Sequence, residues 1–195
     1  MRHVTACIVN YCGALGSFAA VAVCALYTGK SGAQSAKESQ PQAPTVANSS
    51  EASPIYGVKI PPGYRNWKLI AVKSLKVGEK ADQLRAQLGN DIAVKAYREG
   101  KLPFPDGTII AALHNTHSPS AENNRIFGRP QSFVPGNPTN IQFMVKDSVK
   151  YAATGGWGFG HFQDGKPGAE AFMKTCFPCH AQEKARDLVF THYAP

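Results

Sequence analysis

With 195 residues the chain has room for one domain around a single buried core and too little for two comfortable ones. Hydrophobic residues make up 43% and charged ones 17%, which excludes a disordered polyelectrolyte, and 18 Gly with 14 Pro argue against a helical bundle. Twenty-one basic against 13 acidic side chains leave a formal charge of +8, yet Lys and Arg are scattered singly and form no basic run, so no nucleic-acid partner is expected.

Arg2 and His3 precede an uncharged stretch over residues 4–28 that is most apolar over 14–27. Ser31-Gly32-Ala33 then supplies small residues where a signal peptidase reads. Residues 1–33 therefore read as an export signal, cleaved near Ala33, that sends the chain to the periplasm. The run is also long enough for an uncleaved membrane anchor, which stands as the alternative. No lipobox precedes Cys7, Cys12 or Cys24. Residues 34–54 hold one β-branched aliphatic, Val46, and no aromatic, too little apolar surface to offset the entropy of ordering. They read as a disordered linker, and the folded domain as residues 55–195.

Within that domain, residues 67–74 (W-K-L-I-A-V-K-S) read as a strand, and residues 83–88 alternate Leu84, Ala86 and Leu88 against polar neighbours. Asn90 or Asp91 caps a short helix over 92–99 that stops at Gly100. A turn over 103–107 leads into a strand over 108–114. Residues 118–139, rich in Pro, Asn and Gly, read mostly as loop, with Phe127 and Phe133 folding back onto the core. A strand over 141–145 follows, then a short helix from Asp147 or Ser148 to Gly155. Residues 157–162 (W-G-F-G-H-F) place aromatics at every second position of a strand. A helix from about Gly168 and a closing strand over 188–193 complete the chain. The fold class is α+β, a mostly antiparallel sheet with a few short helices.

Three of the five cysteines lie in the targeting segment, which leaves Cys176 and Cys179 for the mature domain. They stand in Cys176-Phe177-Pro178-Cys179-His180, the C-x-x-C-H spacing by which haem c is attached. Cysteines three apart on a helical turn share a face, so both thiols reach the two vinyl groups of one porphyrin. His180 then offers its imidazole to the iron as the proximal ligand. A structural zinc site would need two further ligands, and His114, His117, His161 and His192 show no paired spacing. A redox dithiol fits an exported chain less well than one covalent haem c.

Taken with that motif, Asp106-Gly107-Thr108-Ile109-Ile110, Val145-Lys146-Asp147-Ser148, Gly156-Trp157-Gly158-Phe159 and Asp187-Leu188-Val189-Phe190-Thr191 give the run from about Tyr64 to Pro195 a clear likeness. It resembles the cytochrome P460 family, which includes the β-sheet cytochromes c-prime. The resemblance implies a mostly antiparallel β domain, often a homodimer, with one high-spin haem whose sixth position is open. Some members oxidise hydroxylamine, and others bind nitric oxide or carbon monoxide. Hydroxylamine-oxidising members carry a lysine that bonds to the porphyrin. By the likeness it falls at Ala112, which has no nitrogen to make the link. Glu122 lies in the following loop without an assignable role.

For the second iron ligand the candidates are few. Met173 sits on the proximal helix, and Met144 alternates against Ile141, Phe143 and Val145, so both read as packing. Period two places His114 on the face of Ile110 and Ala112, so Ala112 and His114 are the candidates for the distal pocket, although a solvent-facing histidine at a strand end is the plainer expectation. Arg186 is the candidate to pair with a haem propionate. The expected function is a haem protein binding nitric oxide or another small nitrogen or diatomic ligand. The alternatives are an oxidoreductase acting on hydroxylamine or related compounds, and a low-spin electron-transfer cytochrome serving a redox partner protein.

Overall fold

Among the described residues, six strands pair antiparallel in the order in which they occur along the chain. They are β1 (Lys68–Val77), β2 (Ala81–Gly89), β3 (Ile109–Pro119), β4 (Phe133–Lys146), β5 (Trp157–Gln163) and β6 (Lys166–Pro167). This computed structural model describes residues 51–77 and 81–194, all within one unit spanning 43–195. The expected export signal, and the linker up to residue 50, lie outside the described residues. Ser53, which the sequence assigns to the linker, is 2% exposed, and its N–H donates to Val58 O at 2.7 Å.

Helix α1 (Asp91–Arg98) sits between β2 and β3, and its start is fixed by one side chain. Asn90 Oδ1 accepts from Ala93 N at 2.9 Å and from Ile109 N at 3.2 Å, while its Nδ2 donates to Gly107 O at 2.7 Å. The cap therefore also ties the helix to the Asp106-Gly107 turn that launches β3. The expected loop over 118–139 is not one. Ser120 caps α2 (Ala121–Phe127), whose end is Gly128 in the left-handed region, and β4 begins at Phe133. Phe127 and Phe133 are 51% and 47% exposed, so they do not fold back onto the core; the Phe133 ring stacks on His117 instead. The helix expected over 147–155 is a turn followed by a 3-10 segment, Ala152–Thr154, that ends at left-handed Gly155.

Alternation, broken by the bulge between Leu69 and Ala71, gives the sheet two buried faces. Leu88, Ala111, Phe143 and Phe162 pack on one side against Val58, Ile60, Tyr64 and Tyr151. Gly158 permits this, because a Cβ there would strike the Tyr151 ring. On the other side Ile70, Ile110, Trp157 and Phe159 pack against Ala93, Val94 and Ala96 of α1, and against Met173, Leu188 and Val189 from the chain's end.

That end departs from expectation in two ways. Its single helix is two short ones, α3 (Glu170–Met173) and α4 (Cys176–His180), and residues 188–193 join no ladder. Asp187 and Leu188 both take positive φ, 52° and 64°, which turns the segment across the sheet face instead of alongside β5. It reaches the opposite edge, where Ala194 N donates to Ile70 O at 2.8 Å beside the β1 bulge.

Candidate functional site

Cross-strand register assembles the site before any helix touches it. One row across the sheet reads Ala71, Gln87, Ala112, Gln142, His161; a second reads Lys73, Arg85, His114, Asn140; a third reads Ile110, Met144, Phe159. Because side chains of i and i+2 share a face, these rows point the same way. All of them but Ala71 and Asn140 floor a cavity of about 220 Å³ into which α4 sets Cys176 and His180. Ala112 and His114 thus share a cavity with Cys176 and His180. Cys176 is half-buried and Cys179 exposed, and both are free thiols.

His180 is held in one orientation. Its ring lies 4.9 Å from both Phe159 and Phe190, and Nδ1 is 2.7 Å from Leu188 O. A carbonyl can only accept, so Nδ1 carries the proton and Nε2 is left with a free lone pair. Burial lowers the imidazole's pKa, partly offset by the Leu188 bond, which favours the neutral form that ligates iron.

The Leu188 carbonyl points inward because of the left-handed pair Asp187-Leu188, and an ion pair clamps that pair. Lys146 Nζ lies 2.8 and 2.9 Å from the two Asp187 oxygens, with side chains 7% and 12% exposed. Lys146 also donates to Gly155 O at 3.0 Å and sits 5.0 Å from the Trp157 ring centre, while Asp187 Oδ2 accepts from Phe104 N at 2.9 Å. The Val145-Lys146-Asp147 and Asp187-Leu188-Val189 stretches, 41 residues apart, therefore act together.

His114 is not the solvent-facing strand end that was the plainer expectation. It is 2% exposed, and Nε2 has no hydrogen-bond partner. Burial first, then the Arg85 guanidinium and His161, drive its pKa from 6.5 to about 3. Met144 lies on the cavity side, opposite Ile141, Phe143 and Val145, and Met173 is fully buried in the core. His161, which showed no paired spacing in the sequence, also lines the cavity; its ring is 4.5 Å from Phe172, and burial lowers its pKa. Arg186 faces a neighbouring cavity of about 150 Å³, contacts His192 and donates to Thr191 O at 2.7 Å. Glu122 is exposed on α2, away from the cavity lining.

Sequence reasoning missed Lys73, Arg85, Gln87 and Gln142. Alternation in β2 assigns Arg85 and Gln87 to the face opposite Leu84, Ala86 and Leu88, and that face was read as solvent. The signal that could have found them is the pairing of Gln87 with Ala112 and of Arg85 with His114.

The residues fit a covalently held haem. The Cys176 thiol and a neutral imidazole with a free Nε2 stand at a cavity walled by Ile110, Met144, Phe159 and Val189, and the exposed Cys179 thiol lies one turn on along α4. Lys73 and Arg85 supply positive charge for propionates. Among the described residues no group of three or more His, Cys, Asp or Glu converges as a separate metal site. No curated protein matches the chain. The family model described as Cytochrome P460 matches residues 61–191, a span that holds every strand and both halves of the Lys146–Asp187 clamp. Antiparallel sheet, haem-attachment motif and family match thus agree, and the chain belongs to the cytochrome P460 family, whose members are c-type haem proteins.

Proposed function

We propose that the protein is an exported, periplasmic, single-haem protein that takes up nitric oxide or another small nitrogen-containing or diatomic ligand at an open iron position. The observation that carries this reading is Ala112, which stands mid-row in the cavity of His180 and offers neither a ligand nor a nucleophile. Bound through Cys176, Cys179 and His180, the haem iron supplies a coordination site for a small ligand and a one-electron couple. The rest is done by the chain. The Leu188 carbonyl orients His180, Phe159 and Phe190 flank its ring, and Ile110 and Met144 keep the inner wall apolar.

Ala112 also speaks against the lysine cross-link, and so against the hydroxylamine-oxidising alternative. An electron-transfer role draws support from one specific feature, the unpartnered Nε2 of buried His114, which as a sixth ligand would give a low-spin iron. A homodimer and an anionic redox partner for the basic surface belong to the same proposal.

Optical and electron paramagnetic resonance spectra of the purified holoprotein test it. A high-spin ferric signal and a mass equal to chain plus one haem are expected. A low-spin signal would overturn the open position in favour of electron transfer. A mass beyond simple haem addition, with a strongly red-shifted ferrous Soret band and steady hydroxylamine turnover, would restore the enzyme.

A further inference from the structure

Buried polar atoms without partners cost free energy, so a fold that retains three among the side chains lining one cavity, His161 Nδ1 being one, has kept them for something that binds there. His114 Nε2 and Gln87 Oε1 are such atoms. Their residues are 2% and 4% exposed, they lie on adjacent paired strands, and both line the cavity that His180 faces. Gln87 is directly paired with Ala112, and His114 lies two residues further along the same face, so the alanine methyl leaves open space between them.

The charge of the lining says what kind of guest suits that space. Lys73 and Arg85 contribute two cations, and among the described residues no Asp or Glu lines the cavity. Among the described residues neither cation is paired with a carboxylate: Lys73 donates to Phe190 O at 3.0 Å and Arg85 to the amide oxygen of Gln83 at 3.1 Å. Both are only partly buried, which leaves them at the rim for propionates, whereas His114 and Gln87 lie deeper. A neutral imidazole can offer an N–H, and a carboxamide offers its NH2 after a half-turn of its last torsion.

We propose that His114 and Gln87, on either side of Ala112, form a hydrogen-bonding site for a small inorganic anion of the nitrite or azide type in the haem cavity. This rests on the reading of an open iron position and deepens it. The site prefers a ligand with electron-rich outer atoms to an apolar diatomic, because only the former can accept from the His114 N–H and the turned Gln87 NH2.

Titrations of nitrite and azide into ferric holoprotein, and of carbon monoxide into the reduced form, test the proposal. His114→Leu and Gln87→Leu are each expected to weaken both anions by about 10-fold or more, the effect of losing a hydrogen bond to a charged group. Carbon monoxide affinity is expected to change by less than about threefold, since an apolar guest uses neither donor. His114→Gln keeps a donor and should retain most of the anion affinity. Gln87→Glu places a carboxylate in the site and should abolish anion binding, with carbon monoxide still bound as the sign of an intact fold. Unchanged anion affinities in both leucine variants, with carbon monoxide binding intact, would overturn the proposal and leave the open position standing. A wild-type protein that binds neither ligand until His114→Leu exposes the iron would overturn both, and would make His114 the sixth ligand.

Discussion

Removing one partner of the Lys146–Asp187 pair is expected to damage both the fold and the haem environment. At 2.8 Å and an effective dielectric constant of about 20, the attraction is about 6 kcal/mol, much of it offset by taking two charges out of water. Loss of a single partner strands the other charge in a site where the side chains are 7% and 12% exposed, which typically costs about 3–5 kcal/mol. Asp187→Ala also frees Phe104 N and releases the two left-handed residues that aim Leu188 O at His180. Lys146→Met and Asp187→Ala should therefore each lower the thermal midpoint by roughly 10 °C, read by far-ultraviolet circular dichroism of the holoprotein. Asp187→Ala should further alter the ferric spectrum, because an imidazole that loses its Nδ1–H acceptor becomes a weaker ligand. The double variant Lys146→Met/Asp187→Ala should recover a large part of the loss, with a coupling of about 2 kcal/mol or more. Single costs under about 1 kcal/mol, or strictly additive effects, would refute the clamp.

Acid should destabilise the protein through His114. Its folded pKa lies below the unfolded value, so the unfolded chain takes up a proton first, and stability present above 6.5 is lost as pH falls toward about 3. His114→Leu should flatten that part of the profile in denaturation measured between pH 7 and 4; an unchanged slope would refute it. Gly158→Ala drives a methyl into the Tyr151 ring and should cost about 1–3 kcal/mol in urea denaturation, whereas the same change at Gly63, where a Cβ meets nothing, should cost less even with its left-handed φ. Cys179→Ser leaves Cys176 as the sole anchor, so part of the haem should become extractable by acid and solvent; full retention under mass spectrometry would contradict attachment through both sulfurs.

Much of the sheet was legible because the same alternation that marks a strand also decides which face a side chain joins. Residues 67–74, 83–88, 108–114 and 157–162 correspond to β1, β2, β3 and β5 within a few residues. Pro135, Gly136 and Pro138 disguised the first half of β4, which pairs with β3 through register shifts around Asn115 that no simple period reveals. Ser120 and Gly128 did carry the signature of α2, inside a stretch whose Pro and Asn content spoke louder. The C-terminal segment alternates like a strand, yet two positive φ values rotate it away from the ladder. The anchoring residues of the site were readable from one motif. Its polar floor was not, because Arg85 and Gln87 look the same facing solvent as facing a cofactor until the partner strand is known.

The way the carboxyl end crosses the sheet has a consequence for biogenesis. Met173, Leu188 and Val189 fill the core beneath α1, and the Ala194 hydrogen bond to Ile70 lands on β1, made well before them. A nascent polypeptide that has released β5 thus already owns a nearly finished sheet with one greasy side bare. The stretch that follows β6, which also bears Cys176 and Cys179, closes it. Termination before Met173 should therefore yield sticky, protease-sensitive products rather than quiet haem-free domains, tying cofactor competence to the covering of that face.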